Sequence, residues 1–351
     1  MKLNNNFFNT YNYKPNRARI LTAIKGGIPD KVPLFDNYIG EEIVEKILGY
    51  EAGNTCAAVG DPFRGDERAI VDGDVCIPMN PNDYIKLCNI ICQDTIMLEN
   101  AFVPYRIYNE NGEKVIKPSK KDIENKIFYL KSYKDALKDT DIALTVQTGN
   151  FFLTHYHNLN GSNFFTMIYD DPLLVEEMLT VSTDYYLNYT KEALKLGFDI
   201  YMAGDDVAYK TGLMINPKHF RKLYEPFAKK IFEPVLNAGI PIIFDCDGNP
   251  TEIIDFIIDL GCSCLFPIDS NGMDYKEVKK KFGKRISLYG AIDTDPLIRK
   301  TVLEVENYVK EVVLTMKKNG GYIAGTVSSV NEIPFENYVV MINTIHKFGQ
   351  Y

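Results

Sequence analysis

The chain has 351 residues, 46% hydrophobic and 25% charged, with a formal charge of −8 and a pI near 5.2. That content supports a packed core and argues against general disorder. The acidic balance excludes nucleic acid as a partner, because no basic stripe is available to release phosphate counterions. No apolar run reaches the roughly 18–20 residues a membrane span needs. The start, Met1-Lys2-Leu3-Asn4, has no apolar targeting segment, and seven cysteines in so long a chain do not form a disulfide framework. The expectation is a reduced, soluble, cytoplasmic protein with no membrane contact.

Residues 16–27 read as a helix ended by Gly26-Gly27, and Pro29-Asp30-Lys31-Val32-Pro33 leads into a first strand, Val32 to Phe35, that runs into Asp36. The stretch 50–130 is the least regular, and Asn111-Gly112 between β-rich runs predicts a hairpin there. It is expected to be an insertion over the mouth of a single domain spanning 1–351. From 142 onward strands and helices alternate. Ile142 to Val146 ends at Gln147, and Asp171-Pro172 caps a long helix that runs to Gly197. The run 200–204 meets Asp205-Asp206, and Asn216-Pro217 opens a helix closed by Gly239. Ile242-Ile243-Phe244 meets Asp245-Cys246-Asp247-Gly248, 265–268 meets Asp269, and 286–292 meets Asp293. A strand at 321–325 and a helix at 334–347 finish the chain.

Continuous apolar runs are what buried parallel strands look like, and repeated strand–helix–strand units come from right-handed crossovers. The pattern predicts an α/β fold, a closed (β/α) barrel, whose chemistry gathers at the carboxyl ends of its strands. The recurring carboxylates Asp36, Asp205 or Asp206, Asp245, Asp247 and Asp293 are therefore expected around one cavity.

Adjacent Asp205 and Asp206 point to opposite sides of the chain, so one faces the axis and the other caps or braces a loop. Asp245 and Asp247 share a face while Cys246 points away, and Gly248 permits a tight exit into the next helix. A buried unpaired carboxylate is costly, which calls for a partner, a ligand or a metal at Asp245. Thr326 and Ser328, after the last strand, offer hydroxyls to a ligand, whereas Ser329 and Asn331 read as backbone-satisfying loop residues. His155 and His157, with Tyr156 between them, belong to an aromatic-rich segment expected over the pocket, and His155 is a weak metal candidate beside Asp245, Cys246 and Asp247. His219 and His346 read as surface or core residues of helices. No glycine-rich phosphate or dinucleotide loop is present.

Several of these stretches together resemble the uroporphyrinogen decarboxylase superfamily, which includes the haem-pathway decarboxylase and the corrinoid-linked methyltransferases. They are Arg17-Ala18-Arg19-Ile20 with Pro29-Asp30-Lys31-Val32-Pro33, Tyr169-Asp170-Asp171-Pro172, Gly204-Asp205-Asp206 with Thr211-Gly212, and Pro217-x-x-Phe220 with Tyr224-x-Pro226. Asp247-Gly248-Asn249, Pro267-Ile268, Gly272-Met273-Asp274, Gly290-x-Ile292-Asp293 and Gly320-Gly321-Tyr322-Ile323 complete the set. The resemblance implies a (β/α)8 TIM barrel, a pocket that includes Asp36, Tyr38, Gln147, His155, Tyr156, Asp293, Thr326 and Ser328, and pairing into a homodimer.

Two departures select within the superfamily. The decarboxylase's arginine loop, of the kind Arg-Gln-Ala-Gly-Arg-Tyr, is replaced by Phe35-Asp36-Asn37-Tyr38-Ile39-Gly40-Glu41-Glu42, without arginine. Bringing a polycarboxylate into an aspartate-lined cleft would cost on the order of several kcal/mol. The thiol methyltransferases' His-x-Cys zinc pair falls on Asp245 and Asp247. Zinc remains a candidate cofactor, with oxygen ligands favouring a harder site. The resemblance implies methyl transfer between a small methylated substrate and a corrinoid carried by a partner protein, or a thiol. The alternatives are a decarboxylase (a lyase) or a binding barrel without catalysis.

Overall fold

The computed structural model describes residues 7–37, 39–53, 55, 69–71, 74–76, 79–99, 120–149, 151–158, 162–328 and 332–351. Seven strands form one curled parallel sheet in the spatial order Tyr322–Thr326, Ser287–Ile292, Cys264–Phe266, Ile242–Asp245, Ile200–Gly204, Ala143–Gly149 and Thr95–Glu99. Space and sequence run in the same order, so each strand returns beside its predecessor after a crossover, as α/β barrels require. The helices are capped where expected: Asp171 accepts from the Leu174 N–H at 3.1 Å at the head of Pro172–Leu196, and Asn216 caps Pro217–Asn237.

The first expected strand closes the ring. Leu34 makes a parallel bridge to Ala324, with the Phe35 N–H donating to the Ala324 carbonyl at 2.9 Å. On its other side, the Asp94 N–H donates to the Leu34 carbonyl at 3.0 Å, and the Leu34 N–H donates to the Asp94 carboxylate at 3.1 Å. A side chain thus stands in for one rung of the ladder, and Pro33 has no N–H to give. The segment fills the eighth position without regular strand pairing. Asp94 also accepts from Arg19 at 2.7 Å, and Arg19 grips Asp30 at 2.8 Å, fastening the first helix, Arg17–Ile24, beneath the barrel.

Side-chain parity separates two cores. Ile200 and Met202, Ile243, Cys264 and Phe266, Tyr289 and Ile323 fill the interior over Ile20, Ala23 and Ile24 of the first helix. Tyr201, Phe244, Leu265, Leu288 and Tyr322 point the other way, against the helical layer. The same period of two carries Gln147 and Asp245 inward and Cys246 outward.

Part of the span 50–130, expected to cover the mouth, builds the barrel instead. Helix Pro81–Ile91 and strand Thr95–Glu99 lie in it, and that strand pairs with Ala143–Gly149. Residues 95–99 sit in the ladder because Ile96 and Leu98 supply an apolar face to the outer core. The expected Asn111-Gly112 hairpin lies outside the described residues.

Closure predicts a sensitive position. A side chain at Gly325 would be driven into the Phe35 carbonyl oxygen and the Tyr289 ring. Gly325→Ala is expected to destabilise the protein by at least about 2 kcal/mol, measured by chemical denaturation; an unchanged midpoint would contradict this account of the seam.

Candidate functional site: an acidic cluster at two strand ends

Strands Ile200–Gly204 and Ile242–Asp245 run side by side with Gly204 paired to Asp245. Each leaves the barrel through an acidic turn, and the two turns are laced together. The Asp205 N–H donates to the Asp245 carbonyl at 2.9 Å, and the Asp247 N–H donates to Asp206 Oδ1 at 2.8 Å. Glycine at 204 eases this approach, because a Cβ would lie 3.0 Å from the Asp245 Cβ and 3.3 Å from its Cγ, so that Asp245 would have to give way. As a result, one carboxylate oxygen from each of Asp206, Asp245 and Asp247 lies within 4.8 Å of the others.

Gln147, on the neighbouring strand, donates through Nε2 to Asp245 Oδ2 at 3.1 Å. Its Oε1 is buried without a hydrogen-bond partner. The Asp247 carboxyl is pushed up to about 7, first by removal from bulk water and then by the charges of Asp206 and Asp269. Its side chain still opens to solvent. Asp269 carries the ring of negative charge to the next strand end. It is the acidic residue at the end of the 265–268 run, one of the recurring strand-end carboxylates.

Other expected site residues sit elsewhere. Asp205 turns into the wall, where its Oδ1 accepts from the N–H groups of Phe152 at 3.1 Å and Leu153 at 2.8 Å, at the head of helix Leu153–Asn158. Of the adjacent pair, only Asp206 enters the cleft. Asp36 is fully buried and accepts from Thr326 Oγ1 at 2.5 Å and the Tyr338 hydroxyl at 2.9 Å. Burial raises its pKa, against the pull of those donors. Asp36 and Thr326 thereby clasp the barrel seam and are not gathered with the acidic cluster. Asp293 accepts from Ser270 and from the Tyr308 hydroxyl, tying the loop after strand Cys264–Phe266 to helix Val302–Met316. Ser328 is exposed, and Tyr38 lies outside the described residues, as do Ser329 and Asn331.

His155 is buried, with Nε2 3.0 Å from Ser182 Oγ on helix Pro172–Leu196. The helix it belongs to rotates the ring away from the acidic cluster, so it is not gathered with the carboxylates. The Tyr156 hydroxyl lies 3.3 Å from that of Tyr209, joining this helix to the hairpin after Asp206. Cys246 faces the outer core, and burial holds its thiol well above the usual range. Among the described residues the cluster therefore has only oxygen donors. That set does not fit a thiolate zinc centre of the histidine–cysteine kind. A groove of about 740 Å³ between helices Lys120–Leu137 and Pro172–Leu196 is lined by helical residues only and lies away from the strand ends.

A closed parallel α/β barrel with titratable groups at its strand ends is a TIM-barrel-like protein. The chain belongs to the uroporphyrinogen decarboxylase (URO-D) family, which it matches over residues 114–348. A methyltransferase from Methanosarcina mazei has the same fold, with a TM-score of 0.68, 16% identity, and coverage of 95% of this chain and 99% of that one. A B12-independent methionine synthase from Shewanella is more distant, at a TM-score of 0.43, 10% identity, and coverage of 63% and 65%. No curated protein sequence matches. No helix among the described residues is long and apolar enough to cross a membrane.

Burial lowers the His155 pKa to about 4. The unfolded chain then binds the extra proton first, so the stability this histidine contributes is present above pH 6.5 and lost as pH falls towards 4. At pH 5 the loss is about 2 kcal/mol. Replacing His155 with Gln removes this dependence. The gap in melting temperature between wild type and His155→Gln should narrow from pH 8 to pH 5; a constant gap would count against a neutral buried imidazole.

Proposed function

We propose that the chain catalyses methyl transfer from a small methylated donor to a corrinoid carried by a separate protein. The observation that carries this reading is the convergence of Asp206, Asp245 and Asp247 at the barrel mouth, two of them in the positions where the family's thiol methyltransferases hold their zinc. The fold shared with the Methanosarcina methyltransferase over nearly the whole length of both chains supports it. Among the described residues the cluster offers oxygen ligands only, which favours the corrinoid over a thiol as methyl acceptor.

Charge selects the donor. Asp206, Asp245, Asp247 and Asp269 make the mouth strongly negative, and no arginine follows the first strand to receive carboxylates. Such a field draws neutral or cationic donors and repels polyanions. This counts against porphyrinogen decarboxylation, whose substrate carries many carboxylates. Gln147 fixes the Asp245 carboxylate through its Nε2–H, and the Asp247 backbone fixes Asp206, so these groups are pre-oriented. Tyr156 and Tyr209, whose hydroxyls meet, offer aromatic faces on the helix after Gln147 and the hairpin after Asp206.

The test presents methylamines, betaines and methyl ethers to the folded protein with a reduced corrinoid acceptor. Methylation of the corrinoid from at least one class is expected, falling about 100-fold or more in Asp245→Asn. No transfer from any class would overturn the proposal, and carbon dioxide release from porphyrinogens would establish the decarboxylase reading instead.

A further inference from the structure

We propose that Asp206, Asp245 and Asp247 bind one hard divalent cation, of the magnesium or manganese class, at the barrel mouth. The inference goes beyond methyl transfer and stands or falls separately from it.

Geometry supplies the first argument. Oxygens at opposite poles of a cation with ligand distances of about 2.0–2.6 Å lie roughly 4–5 Å apart. The three carboxylates already place one oxygen each within 4.8 Å of the others. They are held there by backbone hydrogen bonds between the two turns, not by the cation itself. Three carboxylates and an amide are the donor set hard cations prefer, and the outward rotation of Cys246 removes the nearest soft ligand.

Gln147 is the second, independent observation. It is 4% exposed, its amide abuts Asp245, and its Oε1 has no partner. A buried acceptor left unmet costs free energy. A cation beside Asp245 brings the missing donor, since its bound water has hydrogens to give and the amide oxygen can itself be a ligand. The crowding of acids also falls into place. Three carboxylates set this close are like charges, and a divalent ion is the counter-charge that relieves their repulsion. The opening at Asp247 gives the ion a way in.

The experiment titrates manganese(II) into the metal-stripped full-length chain, following free manganese by electron paramagnetic resonance. One saturable site per chain is expected, with a dissociation constant below about 1 mM and competition by magnesium. Asp247→Asn, whose side chain faces solvent and whose fold should persist, and Asp245→Asn should each weaken binding at least about tenfold. Gln147→Leu should weaken it less, and Asp259→Asn on the outer surface not at all. Melting temperature should rise with manganese in the wild type alone or far more than in Asp247→Asn. Absence of saturable binding, or equal affinity in wild type and Asp247→Asn, overturns the inference. Binding of tetramethylammonium with none of manganese overturns it too while leaving methyl transfer standing. Manganese binding without any methyl transfer has the opposite reading.

Discussion

Like charge held at close quarters is the constraint on which the mouth of this barrel depends. Asp206, Asp245 and Asp247 repel one another, so their approach has to be imposed by the frame that carries them. The backbone does so. Parallel strands spaced by one ladder of hydrogen bonds set Gly204 beside Asp245, and the turns beyond them exchange N–H donors for carbonyl and carboxylate acceptors. Repulsion is thereby stored in a rigid frame, where a cation or a polar donor can be met without reorganisation.

The same residue type does a different task elsewhere in the barrel. Asp36, Asp94, Asp205 and Asp293 are spent on the frame: two on the seam, one on a helix head and one on a loop. Each accepts from N–H or O–H groups of the frame. What distinguishes the cleft carboxylates is that their nearest neighbours include one another. Parity explains the division, since Asp205 and Asp206 leave one strand end in opposite directions.

Family membership frames this arrangement without dictating its chemistry. A barrel keeps its strand ends available for varied side chains, so related chains differ most in what those ends carry. Here the zinc-bearing positions of thiol methyltransferases have become oxygen donors, and the arginine loop of the decarboxylase is missing. Under the proposed function, both differences favour a donor that is not anionic and an acceptor that is not a thiolate.

Much of this was legible in the residues. The apolar runs and the caps at Asp171 and Asn216 located strands and helices because local periodicity and capping are local physics. The spacing of Asp245 and Asp247 showed their shared face for the same reason. Gln147 was found because it follows the apolar run Ile142 to Val146, although the strand itself continues to Gly149. What the linear pattern could not separate was a carboxylate that lines the cleft from one that braces the wall, since both follow an apolar run. Only the tertiary structure decided that Asp36 meets Thr326 and Tyr338 across the seam, 290 and 302 residues away. It alone turned His155 towards Ser182 and set Asp206 with Asp245 and Asp247, because those contacts depend on how distant segments pack and not on the neighbours each residue has in the chain.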